Sequence, residues 1–256
     1  MTAELKEPIT RASTRTATTA TPDIEQIMSL RTGLVINHPL NFLIGDDPSK
    51  LLQTFEYYAH TVYGFSAYTC NLFLTLQDED MKEVIYDNLC DEMGLHEEGG
   101  PSWKNQHGEL YRQFIRSVRS TRLYKALGLE DEIETFDSRS RVMAERFYAA
   151  HAAIISEGED LQSLAAFSTI ECWVSDQYAF WKRSMHLLGE EREQLDTRTI
   201  DLHCVCDAEH SASLDRLIHQ KIATAGPRAG QQVKRGVALG AAASERLFSD
   251  IALEIA

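Results

Sequence analysis

Apolar residues recur along this chain at three- and four-residue intervals, the period of amphipathic helices, and no alternating stretch bounded by hairpin turns interrupts the pattern. The periodicity predicts a short helix over residues 23–30, with Asp23 as its N-cap, and a long one over 49–76 that starts after Asp47-Pro48 and is interrupted by Gly64. Further helices are predicted over 80–93, 106–126, 137–156, 160–188, 190–223 and 231–255. Gly94, Gly99-Gly100-Pro101, Gly128, Gly158, Gly189 and Gly226-Pro227 supply the breaks. Residues 1–22 are rich in Thr, Ala, Ser and Arg without periodicity and read as a disordered tail. The expectation is all-α: one domain over 23–256, with about seven helices around one core. No internal repeat is visible.

Composition narrows the classes. The 256 residues carry 39 acidic against 25 basic side chains, a formal net charge of −14. That balance opposes nucleic acid and anionic membrane as partners, because a phosphate surface requires a basic face. No apolar run approaches the roughly 18 residues that span a bilayer. The N-terminus lacks the apolar stretch of a secretory signal, and Glu4 and Glu7 argue against a transit peptide. Five cysteines without a CxxC pair fit a reducing compartment, so the expected location is cytoplasmic.

The densest chemistry lies in His203, Asp207 and His210, an HxxxDxxH pattern. At 100° per residue these positions fall within roughly 60° of one another on a helix. Two imidazoles and a carboxylate converging on one face suit a ferrous or similar first-row ion. Polar residues at helical spacing also make solvated stripes, so the triplet alone leaves both readings open. Glu92 sits in the last turn of its predicted helix, where the helix dipole disfavours a carboxylate unless a cation compensates. Glu171 interrupts the mostly apolar run 164–174, where an unpaired carboxylate is costly to bury, so a metal or an arginine must satisfy it. Glu56 stands among Phe55, Tyr57 and Tyr58 in a similar, weaker setting. Cys204 and Cys206 lie about 200° apart on a helix, cannot face one ion, and read as packing residues.

Together these residues resemble the heme-oxygenase-like diiron oxidases and oxygenases. That family's pattern is a helix glutamate, a DExG segment with a histidine opening the next helix, a later glutamate, and HxxxDxxH. Asp91-Glu92-Met93-Gly94 matches the DExG segment, His107-Gly108-Glu109-Leu110 the HxxL that follows it, and Glu171 precedes His203 by a separation typical of the family. The match runs from about Glu56 to His210. The resemblance implies Glu56, Glu92 and His107 around one iron and Glu171, His203, Asp207 and His210 around the other, with Glu92 bridging. The loop before His107 is longer than usual, so His96, at i+4 from Glu92, is an alternative ligand.

The resemblance further implies two ferrous ions, with dioxygen as co-substrate, oxidising a small molecule in a natural-product pathway: N-oxygenation or oxidative cleavage of an amino acid or derived amine. Alternatives are oxidative decarboxylation of a fatty acid, a metal-independent thiaminase-like or pyrroloquinoline-quinone-synthase-like enzyme, and a non-catalytic helical binding protein. An external electron donor and a homodimer are compatible with the scaffold. Phe167, Val174 and Tyr178 share a helix face with Glu171 and are candidates to line the pocket. Arg183, Arg192 and Arg198 are candidates to anchor a substrate carboxylate.

Overall fold

The computed structural model describes residues 24–29, 31, 33–96 and 101–256; the expected tail over 1–22 lies outside them. Among the described residues there are ten α-helices and no strand: α1 Ile24–Ser29, α2 Pro39–Ile44, α3 Pro48–Thr75, α4 Glu79–Glu92, α5 His107–Ser120, α6 Arg122–Ala126, α7 Ile133–Ser156, α8 Asp160–Ser184, α9 Arg198–Ala225 and α10 Pro227–Ile255. The count exceeds the expected seven for local reasons. Thr121 leaves the helical region and caps α6 with its hydroxyl, which divides the single helix expected over 106–126. His38 caps α2 through Nδ1, with Pro39 at its first position, a helix too short to leave a periodic signature. Gly189, at φ 57°, lies within a 3-10 segment over Met185–Gln194, so α9 begins at Arg198 rather than near 190. Gly226 and Pro227 start α10 rather than opening a loop.

The long helices start on the signals in the sequence. Asp47 accepts from the Ser49 and Lys50 amides at the head of α3, and Asp78 from the Met81 amide at the head of α4. Gly64 does not interrupt α3. A Cβ there would lie 2.6 Å from Cε2 of Tyr148, so this glycine gives α7 room to pack.

α8 is the centre of the fold, packed between α9 and α10, while α3 packs against α7, α5 and α4. Its residues from Leu161 to Glu171 are all buried, which is why that stretch reads as nearly continuous apolar sequence. α10 comes close because two of its residues lack side chains. A Cβ on Gly236 would lie 2.9 Å from Cβ of Ala165, and one on Gly240 2.9 Å from the Ala166 carbonyl oxygen. No described helix is long and apolar enough to cross a membrane.

Candidate metal centre

Six polar side chains from four helices meet at the core. Glu92 ends α4, His107 opens α5, Glu171 lies midway along α8, and His203, Asp207 and His210 follow the inner face of α9. All six are buried. Glu92 and His107 come side by side where α4 ends and α5 begins. Gly94, at φ 66°, closes α4, and a Cβ there would lie 2.6 Å from the Asn105 carbonyl carbon. The chain therefore returns over its own helix end. His107 then starts α5 with its Nδ1 2.9 Å from Glu92 Oε1.

The donors form two groups, Glu92 with His107 and His203, and Glu171 with Asp207 and His210; within each, one ligating atom per residue lies within 4.8 Å of the others. His203 thus joins Glu92 and His107 rather than the residues one and two turns further along its own helix. Its Nδ1 donates to the Thr199 carbonyl at 2.7 Å, which leaves Nε2 available. Its ring stacks on Tyr178, centroids 4.4 Å apart and 8° from parallel, and meets the His107 ring edge-on at 4.8 Å.

Glu56 is not brought to this cluster. Its buried carboxylate accepts from Arg119 Nε at 2.8 Å, Arg119 Nη2 at 2.7 Å and the Tyr124 hydroxyl at 2.9 Å. Helix register is the reason. Tyr58, Thr61, Val62 and Phe65 are the α3 residues that border the site, and Glu56 stands about 200° from Tyr58 around the axis. His96 is also outside both groups, with its Nδ1 2.7 Å from Asp91 Oδ1.

The electrostatics of the cluster are only partly compensated from within. Three carboxylates are buried together, and the buried arginine of the described residues, Arg31, is committed to Asp215, as Arg119 is to Glu56. Burial, then Glu171 and Glu92, drive the Asp207 carboxyl well above its ordinary range. Burial also raises Glu171, against the pull of His210. Burial pushes Glu92 up too, but His107, His203 and His210 outweigh it and hold that carboxyl low. Burial, then the neighbouring His107, pushes His203 down to about 4, whereas His210, despite burial, is raised to about 9 by Glu171 and Asp91. Glu171 Oε1, Asp207 Oδ2 and His210 Nδ1 are buried with no hydrogen-bond partner, all three in one donor group. Buried orphans of this kind cost about 1–3 kcal/mol each or more when charged. A divalent cation would satisfy all three, and a mixed set of imidazole and carboxylate donors suits a first-row metal.

Beside the donors lies a small cavity of about 20 Å³. Tyr58, Val62, Phe65, Phe147, Ile170, Trp173, Val174 and Tyr178 make it mostly apolar, and no lysine or arginine of the described residues lines it. A family model for iron-containing redox enzymes matches residues 53–245, a span that holds all six donors. The chain belongs to that family. It is an oxidoreductase on a heme-oxygenase-like scaffold. No curated protein matches it significantly.

Several pocket expectations change. Val174 and Tyr178 line the cavity, but Phe167 does not; it stacks on Phe65 with centroids 5.7 Å apart. Arg183 is exposed, Arg192 borders a separate surface groove with Lys182 and His186, and Arg198 pairs with Asp196 at 2.6 Å. None of the three reaches the cavity. Cys204 and Cys206 stand outside both donor groups. Sequence reasoning missed Tyr58, Trp173 and Phe147 as lining residues, because aromatic residues at helical spacing look the same in a core and in a pocket wall.

Proposed function

We propose that this chain is a non-heme diiron oxidase or oxygenase that uses dioxygen to oxidise a small amino acid or amine with an apolar body. The observation that carries this reading is the pair of buried three-residue donor groups at the floor of an apolar cavity, with three orphaned donor atoms in one of them. Glu92, His107 and His203 would hold one ion, and Glu171, Asp207 and His210 the other. The ions, when bound, supply the electrons and the Lewis acidity for dioxygen chemistry. The chain supplies the rest. Thr199 and Tyr178 fix the ring of His203, and Tyr58, Trp173 and Phe147 keep bulk water from the reacting centre. The apolar wall suits the hydrocarbon part of such a substrate.

A second reading, oxidation of a fatty acid, is favoured by the absence of lysine and arginine from the cavity wall among the described residues, since a carboxylate would then have the metals as its partner. A metal-independent enzyme leaves Glu171 Oε1 and Asp207 Oδ2 buried without a partner and ranks below both. Dioxygen uptake by iron(II)-loaded protein, measured against panels of apolar amines, apolar amino acids and medium-chain fatty acids, separates these readings. Stimulation by an amine or amino acid supports the first, stimulation by fatty acids alone supports the second, and uptake that no panel changes contradicts both.

A further inference from the structure

Glu92 and Asp91 are adjacent carboxylates at the end of α4, and they point to different places. Glu92 faces the donor group with His107 and His203. Asp91, about 100° further round the helix, reaches across to α9, where its Oδ2 is 2.8 Å from His210 Nε2. Its other oxygen, Oδ1, is 2.7 Å from Nδ1 of His96. The three side chains form a line from the interior outward, with exposures of 10% for His210, 26% for Asp91 and 53% for His96.

An imidazole can present either nitrogen to a ligand, and the hydrogen bond made by one decides which remains for the other. With Nε2 committed to Asp91, His210 has only Nδ1 left. That atom is buried, makes no hydrogen bond, and lies 3.5 Å from Glu171 Oε2, beyond good hydrogen-bond length. A ring flip would break the bond to Asp91 and turn carbon atoms toward Glu171 and Asp207. His203, two turns earlier on the same helix, is tethered the opposite way, through Nδ1 to its own helix backbone.

We infer that Asp91 is a positioning residue that fixes the ring of His210 so that Nδ1 faces the ion held with Glu171 and Asp207, and that His96 braces the Asp91 carboxylate from the solvent side. This rests on the diiron reading, and it adds that the two histidines of α9 bind through opposite nitrogens. Asp91 touches neither ion. Its role differs from that of a plain ion pair stapling α4 to α9, which would affect folding stability and leave metal affinity and the ligating nitrogen unchanged.

The test uses the full-length wild-type protein with Asp91→Ala, Asp91→Asn and His96→Ala, titrated with Co²⁺ and followed by its visible absorption. Asp91→Ala should weaken one of the two ions by roughly 10–100-fold and leave the other near its wild-type affinity. Asp91→Asn keeps an acceptor for Nε2–H and should recover part of that loss, and His96→Ala should lose less than Asp91→Ala. If Asp91→Ala does not fold, the near-isosteric Asn variant carries the comparison. Histidine ¹⁵N spectra of the Zn²⁺-loaded wild type should show His210 metallated at Nδ1 with its Nε2 proton retained, and His203 metallated at Nε2. His210 metallated at Nε2, or variants that lose thermal stability while binding both ions at wild-type affinity, would overturn the inference and leave the diiron reading standing. A wild type that binds no ion would overturn both.

Discussion

Replacing Glu56 by Gln separates a structural carboxylate from a metal ligand. The sequence resemblance places Glu56 on an iron, whereas its carboxylate here is 1% exposed and receives three hydrogen bonds from Arg119 and Tyr124. Gln keeps the shape, removes the charge, and substitutes an amide donor for one of the two acceptor oxygens. At least one Arg119 or Tyr124 donor then faces another donor. Removing one partner of a buried ion pair costs about 3–5 kcal/mol. Arg119 retains 31% exposure of its side chain and can recover some hydration, so the lower end, about 3 kcal/mol, is expected. For a chain of this size each kcal/mol shifts the melting temperature by roughly 2–4 °C, so the expected fall is about 6–12 °C. Thermal unfolding by circular dichroism reads that shift. Iron content, measured on the same preparation after anaerobic loading in the cold, should equal that of the wild type. A variant that melts like the wild type and loses about one iron would refute the structural assignment and restore Glu56 as a ligand.

Other expectations follow from single positions. His151 is fully buried, donates through Nδ1 to the Phe147 carbonyl, and is pushed by burial down to about 4. Its folded form is neutral and the unfolded chain binds the proton first, so its contribution is present above pH 6.5 and lost as pH falls toward 4; a His151→Asn variant should show a stability–pH slope flatter by about 2 kcal/mol between pH 7 and pH 5, and equal slopes would contradict this. Gly236→Ala drives a methyl into the Gln162 carbonyl and the Ala165 side chain at the α8–α10 contact, whereas a Cβ on Gly33 meets nothing within 4 Å. The first should cost about 1–3 kcal/mol in urea unfolding, and the second should be close to neutral; equal effects would refute the close-approach argument.

The parts of the site legible in the sequence are those set by local geometry. HxxxDxxH converges because of helical periodicity alone, and Glu171 announces itself as a charge in an otherwise buried apolar run. Glu56 gives a similar but weaker signal than Glu171, because an acid among aromatic residues points to burial without naming the partner. The partner, Arg119, lies 63 residues away and on a different helix. The division of donors between the two groups was also hidden. His203 is placed with Glu92 and His107 by the way α9 packs against both α4 and α5, a tertiary relation that spacing along the chain does not encode. The fold class follows from periodicity, while the additional helices α2 and α6 arise at capping residues, and the positive-φ Gly189 moves the start of α9. Asp91 was part of a recognisable segment, and its contact with His210 became visible only once α4 and α9 were side by side.

The central claim is that the two buried donor groups hold iron. The direct measurement is iron per chain after anaerobic loading with ferrous ion and desalting, for the wild type and for Asp207→Ala. Two three-donor groups predict about two irons per chain in the wild type and a reduced content in the variant. A wild-type content near zero, or a variant that retains the full wild-type complement, would contradict it.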